Sequence, residues 1–411
     1  MVSPFLPEAE RVAAIRAALP ATRAGVYLDA GTCGPLPAET AAAMAAVEDR
    51  ELTVGRAHRE AGDELLARLD EARAAIAAVL TTDVDLVAVT HSTTNGLNLA
   101  LGSVAWRPGD RAVTTNHEHP GLLLPLAGIR DRFGVEVVAA DIDDGRDEER
   151  TMAALEAALT PSTRLVALSH VLWSTGAVLP VERIVALTRD RGVVVVIDGA
   201  QAAGAIPVSV DDIGADFYAT SGQKWLLGPE GTGALHVRRD RVGSVVPPAT
   251  GLFSTAEPYG ATLAPDARRF ESAGFHAPSV AGLARSVGWL SMYVGLPWAM
   301  ERATRLARAA AERLAATPGV DLATPPERMA TLVSFRVASW PAEEVVAALG
   351  RRVHAVTRHV PGHELVRLSI GFFTSEGELR RVLDAVEEIA AHAPGTLPAR
   401  PPIEFLEAQP E

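Results

Sequence analysis

One cysteine, Cys33, is all that 411 residues contain. No internal disulfide can form, and a reducing compartment fits. Positive charge is also short: 51 acidic side chains against 38 basic ones leave a net charge of −13. A nucleic-acid partner would want a basic face, so that class is set aside. No apolar run approaches the roughly 20 residues that a membrane helix needs. The opening MVSPFLPEAERVAAIRAALP carries Glu8 and Glu10 and lacks the basic-then-apolar order of a secretion signal. The expectation is a cytoplasmic protein with neither membrane nor nucleic acid as a partner. What remains is ordinary for a globular chain: 48% hydrophobic, 22% charged, and long enough for two domains and a large core.

Residues 8–19 read as a short amphipathic helix. Leu65, Leu69, Ala72, Ile76 and Val79 recur at spacings of four and three, a helix with one buried face. Seven short apolar runs come next, at 85–90, 111–115, 135–140, 164–169, 193–198, 216–220 and 232–237, with helical patterns between several of them. Runs without polar alternation suit strands covered on both faces, as in a mostly parallel seven-stranded α/β sheet whose crossovers are helices. A long helical pattern over about 297–316 precedes LVSFRV (332–337), a helix near 341–350, LVRLSI (365–370) and a last amphipathic helix through Leu379, Val382, Leu383, Val386 and Ile389. That order predicts a smaller C-terminal α+β domain. The expected division is an N-terminal helix and arm packing on the small domain (1–25), a large domain (26–285), a small domain (286–395) and a Pro-rich tail (396–411).

Ligands of open parallel sheets bind at the C-terminal ends of the strands, so the residues just past each strand are the candidates for chemistry. After the first run, Ser92, Thr93 and Thr94 fall where a helix should begin. They serve as an N-cap or, with the free N–H groups there, as a phosphate site. After the second come His117 and His119. Without a cysteine cluster they make a weak metal pattern, and no metal is expected; a flat imidazole can also lie over a planar ring. After the fourth come His170, a satisfied structural histidine or a site residue, then Trp173 and the turn Ser174, Thr175, Gly176. After the fifth, Asp198 ends five apolar residues, and a carboxylate there needs a cation or several donors. Gln201 points into the same region. After the sixth, Lys224 lies between apolar segments. It is either a snorkelling surface lysine or a buried amine with a depressed pKa, usable as nucleophile or base. One cofactor uses a phosphate-ready helix start, a stacking histidine, a buried aspartate and a lysine together: pyridoxal 5′-phosphate. Its aldehyde takes the lysine, and its ring nitrogen needs the aspartate to stay protonated as an electron sink.

The stretch VVVVIDGAQAAGAIPV with GADFYATSGQKWLLGPEGTGAL resembles the class V aminotransferases, fold type I pyridoxal phosphate enzymes that include cysteine desulfurases, isopenicillin N epimerase-like proteins and cysteine C–S lyases. The resemblance runs over roughly residues 25–390. It implies that Lys224 carries the cofactor, Asp198 holds the ring nitrogen, Gln201 the 3′-oxygen side, and His119 stacks on the ring. Thr93, Thr94 and Ser221 would take the phosphate. Gln223, where many members have histidine, would also donate there, and His170 would lie at the cofactor. Arg367 would grip the substrate carboxylate. A homodimer with sites near its interface is implied too. Two departures stand out. GRRVHAVTRHVPGHELVR has no cysteine where desulfurases carry a reactive one, which argues against persulfide chemistry on the enzyme. Gly274 stands where many members have a threonine that reaches the neighbouring subunit's phosphate. The expected activity is C–S lysis by β-elimination on a cysteine S-conjugate, with aminotransferase or epimerase as the alternative. A non-catalytic sensor module is the alternative of another class, set aside because the chain is acidic and carries no DNA-binding extension. Trp173, Phe275 and Tyr259 are candidate pocket walls.

Overall fold

The computed structural model describes residues 6–257, 260–272 and 274–398. Strand β1 (Val26–Tyr27) is short and joins the second domain described below. The next seven strands build one sheet: β2 (Val87–Thr90), β3 (Arg111–Thr115), β4 (Glu136–Ala140), β5 (Thr163–Ser169), β6 (Val194–Asp198), β7 (Phe217–Ser221) and β8 (Gly233–Val237). Each lies on one of the seven expected runs. Their spatial order is β2-β8-β7-β6-β5-β3-β4. All neighbours run parallel except β8, which is antiparallel to both β2 and β7. In β6, Val195, Val196 and Ile197 are all buried, as a strand covered on both faces requires.

The sheet also locates its crevice. From β3 the chain crosses outward to β4, then returns over β3 to β5 and continues inward to β6 and β7. The loops after β3 and β5 therefore part in opposite directions from adjacent strands, and such a switch point opens a ligand crevice at the strand ends.

The second domain contains β9 (Val320–Leu322), β10 (Leu332–Val337), β11 (Ala355–Val356), β12 (Arg358–Val360) and β13 (Leu365–Ser369). Four of these form an antiparallel sheet in the order β12-β13-β10-β9. Helices Leu296–Ala316, Ala342–Val353 and Glu376–Ala390 share a core with it, built on Phe335, Val366, Leu368, Val382 and Val386. β1 pairs in parallel with β11, Val26 facing Ala355, and ties the N-terminal segment to this domain.

The N-terminal helix Glu8–Ala17 reaches both units. Arg16 donates to the Glu378 carboxylate at 2.7 Å and to the Phe373 carbonyl at 2.9 Å, while Ile15 is buried in the core of the large domain. The expected boundary at residue 285 falls inside helix Ala277–Gly288, which runs on into a π-helical turn, Trp289–Val294. Helix Ala38–Thr53 was not expected. Its sequence is mostly alanine and charge, and Thr40 is its only buried residue, so no apolar stripe announces it. Most of the Pro-rich tail, 399–411, and Tyr259 lie outside the described residues. No described helix is long and apolar enough to cross a membrane, and no described group of His, Cys, Asp and Glu could hold a metal ion.

Candidate active site

A cavity of about 230 Å³ lies at the C-terminal ends of the large sheet, with Gly31, Thr32, Arg358 and Arg367 among the residues that line it. Three features divide it.

The first is a helix start. Ser92 is the cap of helix Thr93–Gly102: its Oγ accepts the Asn95 N–H at 3.0 Å. The capping reading holds for Ser92, which leaves Thr93 and Thr94 at the first turn, lining the cleft. Thr93 Oγ1 lies 2.5 Å from Ser221 Oγ, so a hydroxyl pair joins the helix start to the end of β7. Gly121 faces them; a Cβ there would come within 2.5 Å of Thr94 Oγ1. The Gln223 Oε1 atom is buried without a hydrogen-bond partner among the described residues. Hydroxyls, first-turn N–H groups and the positive end of a helix dipole make an anion cradle.

The second is a flat slot. Asp198, at the end of β6, is buried and accepts the Ala200 N–H at 2.9 Å. Burial pushes its carboxyl upward, and Lys224 with the Ala200 amide pulls it back. His119 caps helix Pro120–Phe133, its Nδ1 accepting the Gly121 N–H at 3.0 Å, and Trp173 braces it edge-on at 5.0 Å. Enclosure by the cleft, and then the cations Lys224, Arg367 and Arg358, lower the His119 imidazole to about 4. A neutral, braced imidazole can cover an aromatic ring without adding charge. Gln201 lines the cleft, but both ends of its amide are tied: Nε2 donates to the Gly31 carbonyl at 2.8 Å and Oε1 accepts the Trp225 indole N–H at 2.9 Å.

The third is the amine. Lys224 follows β7 on a turn closed by the Gly228 N–H to Gly222 carbonyl bond, with Leu227 at φ 54°. It is the only lysine in the chain. Burial lowers its ammonium to about 8; Asp198 opposes this and Arg367 adds to it. An amine so poised is available as a nucleophile near neutrality.

Above the slot, Arg367 is almost fully buried. It donates to the Trp173 carbonyl at 3.0 Å, Thr32 Oγ1 at 3.2 Å and Asp29 Oδ1 at 3.4 Å. Burial brings it down to about 10, so it stays cationic at neutral pH. Arg358 stands directly opposite it in the β12–β13 ladder, half-exposed, 4.0 Å from Asp29 Oδ2. Like charges facing each other across a ladder are unfavourable, and Asp29 offsets the pair only in part. Sequence reasoning missed Arg358, because only the strand register brings it opposite Arg367. It also missed the buried Glu118.

Three expected residues fall elsewhere. His170 is not at the cofactor slot. Ser169 lines the cleft; His170, one residue on, faces the other way, as alternation along an extended chain dictates. Its Nδ1 lies 2.9 Å from the Tyr218 hydroxyl, and its ring borders a separate cavity near Glu182 and Ser209. Gly274 sits exposed on its loop, outside the cleft of its own chain. Phe275 stacks on His91 at 5.3 Å and is not a cleft wall; Trp173 is.

Cys33 is remote in sequence, yet its loop packs on the lysine turn: the Gly34 N–H donates to the Gln223 carbonyl at 2.7 Å. Its thiol sits 3.2 Å from the Glu230 carboxylate and is pushed up to about 11, by burial first and Glu230 next. A thiol protonated at neutral pH is a poor nucleophile. Cys33→Ser should leave turnover within about twofold of the parent; a collapse in a steady-state assay would point to thiol chemistry.

The donor set fits pyridoxal 5′-phosphate: a cradle for the phosphate, a carboxylate for the ring nitrogen, an imidazole for the ring face and one amine for the aldehyde. A family model described as aminotransferase class-V matches residues 26–384. A probable cysteine desulfurase of Methanothermobacter thermautotrophicus is 27% identical over 92% of this chain and 97% of its own length. The isopenicillin N epimerase of Streptomyces clavuligerus is 30% identical over 89% of this chain and 94% of its own. Among solved structures, the cystine C–S lyase C-DES in complex with its product cysteine persulfide superposes with a TM-score of 0.84 at 27% identity, covering 90% of this chain and 99% of that one. A C-DES mutant with glycine covalently linked to its PLP cofactor gives 0.85 at 27%, covering 91% and 99%.

Proposed function

The chain belongs to the class-V aminotransferases, enzymes of pyridoxal 5′-phosphate, and on that premise we propose that it is a C–S lyase acting by β-elimination on a cysteine S-conjugate. The cofactor supplies an electron sink beside Cα when bound. The chain's own residues do the rest. Lys224 would hold the cofactor through its aldehyde, and with substrate bound its Nζ would be the base that takes the α-proton. Asp198 keeps the proton on the ring nitrogen. Thr93, Thr94, Ser221 and Gln223 would hold the phosphate, and His119 would cover the ring. The Cβ–S bond then breaks, the sulfur leaves with the bonding pair, and the remaining fragment hydrolyses to pyruvate and ammonia.

One observation carries the choice of reaction. Among the described residues that line the cleft, Lys224 is the acid–base group poised near neutral pH; Glu118, lifted to about 7, is buried behind Ser169 and does not line it. Epimerisation asks for a second proton donor on the far face, and neither candidate serves: His170 faces away from the cleft, and His119 is neutral far above its pKa of about 4. Enzyme-bound persulfide chemistry asks for a reactive thiolate, and Cys33, which follows the Arg367 partner Thr32, is held protonated at neutral pH by burial and Glu230, its thiol pushed up to about 11. C–S lysis needs only the lysine, and it is the chemistry named for C-DES.

The substrate's α-carboxylate goes to Arg367, whose planar fork suits bidentate capture. Arg367→Ala should raise KM about 10- to 100-fold, with a smaller fall in kcat. An unchanged KM in initial-rate kinetics would remove that assignment. A homodimer is supported by exposed Leu123 and Leu124 on helix Pro120–Phe133, beside the cleft, and by the exposed Gly274 loop. A cytoplasmic location is supported by the single cysteine.

The test is a panel of cysteine S-conjugates and plain amino acids. Pyruvate with equimolar thiol supports elimination. A stoichiometric keto acid with pyridoxamine phosphate means transamination and ends the lyase reading. Deuterium exchange at Cα without product favours epimerisation.

A further inference from the structure

Behind His119 lies a second buried acid that the reaction above does not use. Glu118 is almost wholly buried, and no described cation pairs with it. Its carboxyl accepts three hydrogen bonds: from Thr115 Oγ1 at 2.7 Å, from the Ser169 hydroxyl at 2.5 Å and from the Ser169 amide at 3.0 Å. Ser169 in turn faces Asp198 across the β5–β6 ladder. Two carboxyl groups thus flank Ser169, Asp198 lining the slot and Glu118 behind it, near enough for the charge of Asp198 to raise the Glu118 carboxyl. Thr115 on β3 and Ser169 on β5 offer neutral donors, Asp198 on β6 a like charge, and His119 on the same loop a neutral ring. The cation that acts on Asp198 is Lys224, whose amine the cofactor aldehyde consumes.

A buried carboxylate without a counter-ion is costly, and two side by side are costlier. Hydroxyl donors reduce that cost for Glu118 without cancelling its charge. A loop staple alone could be built from neutral groups. Burial, with Asp198 adding to it, lifts the Glu118 carboxyl to about 7, so part of it is protonated while the slot lacks a cation.

We propose that Glu118 is a positioning residue for the cofactor: it forms with Asp198 a buried acid pair that a cationic ring neutralises jointly, so that cofactor binding is coupled to ionisation of a second carboxyl group. Glu118 then adds negative potential behind Asp198 and helps to keep the ring nitrogen protonated. The inference rests on the pyridoxal phosphate site and not on the reaction catalysed there.

Glu118→Gln keeps the shape and an acceptor for Ser169 while removing the charge. The apoprotein and the cofactor-saturated protein are compared by melting temperature, and the dissociation constant of pyridoxal 5′-phosphate is measured by titrating apoprotein. The apo variant should melt at or above apo wild type. The rise on adding cofactor should shrink, and the dissociation constant should weaken about tenfold. Equal destabilisation of both forms with an unchanged constant would reduce Glu118 to a staple and overturn the proposal. If the glutamine variant does not fold, Thr115→Val removes one donor and keeps the acid. Losing a donor raises the Glu118 pKa, so binding should weaken at pH 6 and recover by about pH 8.5 as the carboxyl ionises; a loss that does not change with pH contradicts the coupling. These readouts need no substrate, so they stand even if the lyase reading fails.

Discussion

Lys224→Ala loses turnover by about 10⁴-fold or more, and with it the visible absorption of the lysine-bound cofactor. The size reflects two roles on one atom. In the proposed mechanism the amine both anchors the aldehyde and serves as the base for the α-proton. No second lysine exists anywhere in the chain to substitute; Arg358 and Arg367 nearby are cations and not bases, and His119 has its Nδ1 already used. The fold should not suffer. The turn that carries Lys224 is closed by main-chain bonds, Leu227 N–H to Lys224 carbonyl at 3.1 Å and Gly228 N–H to Gly222 carbonyl at 2.8 Å, and alanine keeps both. Removing the amine also leaves buried Asp198 without its cation, so the apoprotein should stay folded but melt a few degrees lower. Steady-state assay, absorption spectrum and thermal melt check the three parts together. Wild-type turnover in the variant would remove the mechanism.

Asp198→Ala is the second large effect. The carboxylate ends an uninterrupted apolar strand, where an ionised group is retained only if it meets a cation. Without it the ring nitrogen loses its proton and the electron sink weakens. The expected fall in kcat is about 10²- to 10⁴-fold, with weaker cofactor binding. Asp198 also supports the ammonium of Lys224, so the variant's lysine should titrate lower still. Asp198→Asn separates charge from shape. The amide oxygen can keep the Ala200 N–H, so a loss close to that of alanine assigns the effect to charge. Full activity in the asparagine variant would mean that the ring is activated in some other way.

The strands and the residues at their ends are legible in the sequence because they answer to simple rules. β6 reads VVVID, and a carboxylate after three buried aliphatic residues must be explained. The turn bearing Lys224 lies between a buried strand and a glycine-rich return. What sequence reading missed depends on geometry that one chain of letters does not carry. Arg358 acquires its place from a ladder register with Arg367. His170 looked like a site residue because it follows a strand that does reach the site, yet alternation turns its ring to the far side. Glu118 lay between two histidines that drew attention as possible ligands, and its significance appears only when Ser169 and Asp198 are brought against it. Helix Ala38–Thr53 escaped because alanine on an exposed helix leaves no apolar period to read.

The proposed mechanism requires one amine, that of Lys224, to hold the cofactor covalently. Borohydride treatment of the holoprotein followed by peptide mass spectrometry tests it most directly. Because Lys224 is the only lysine, the expected result is a single reduced pyridoxyl phosphate adduct, in the peptide spanning Ser221–Trp225. Cofactor-loaded protein that yields no adduct on that side chain would contradict the account.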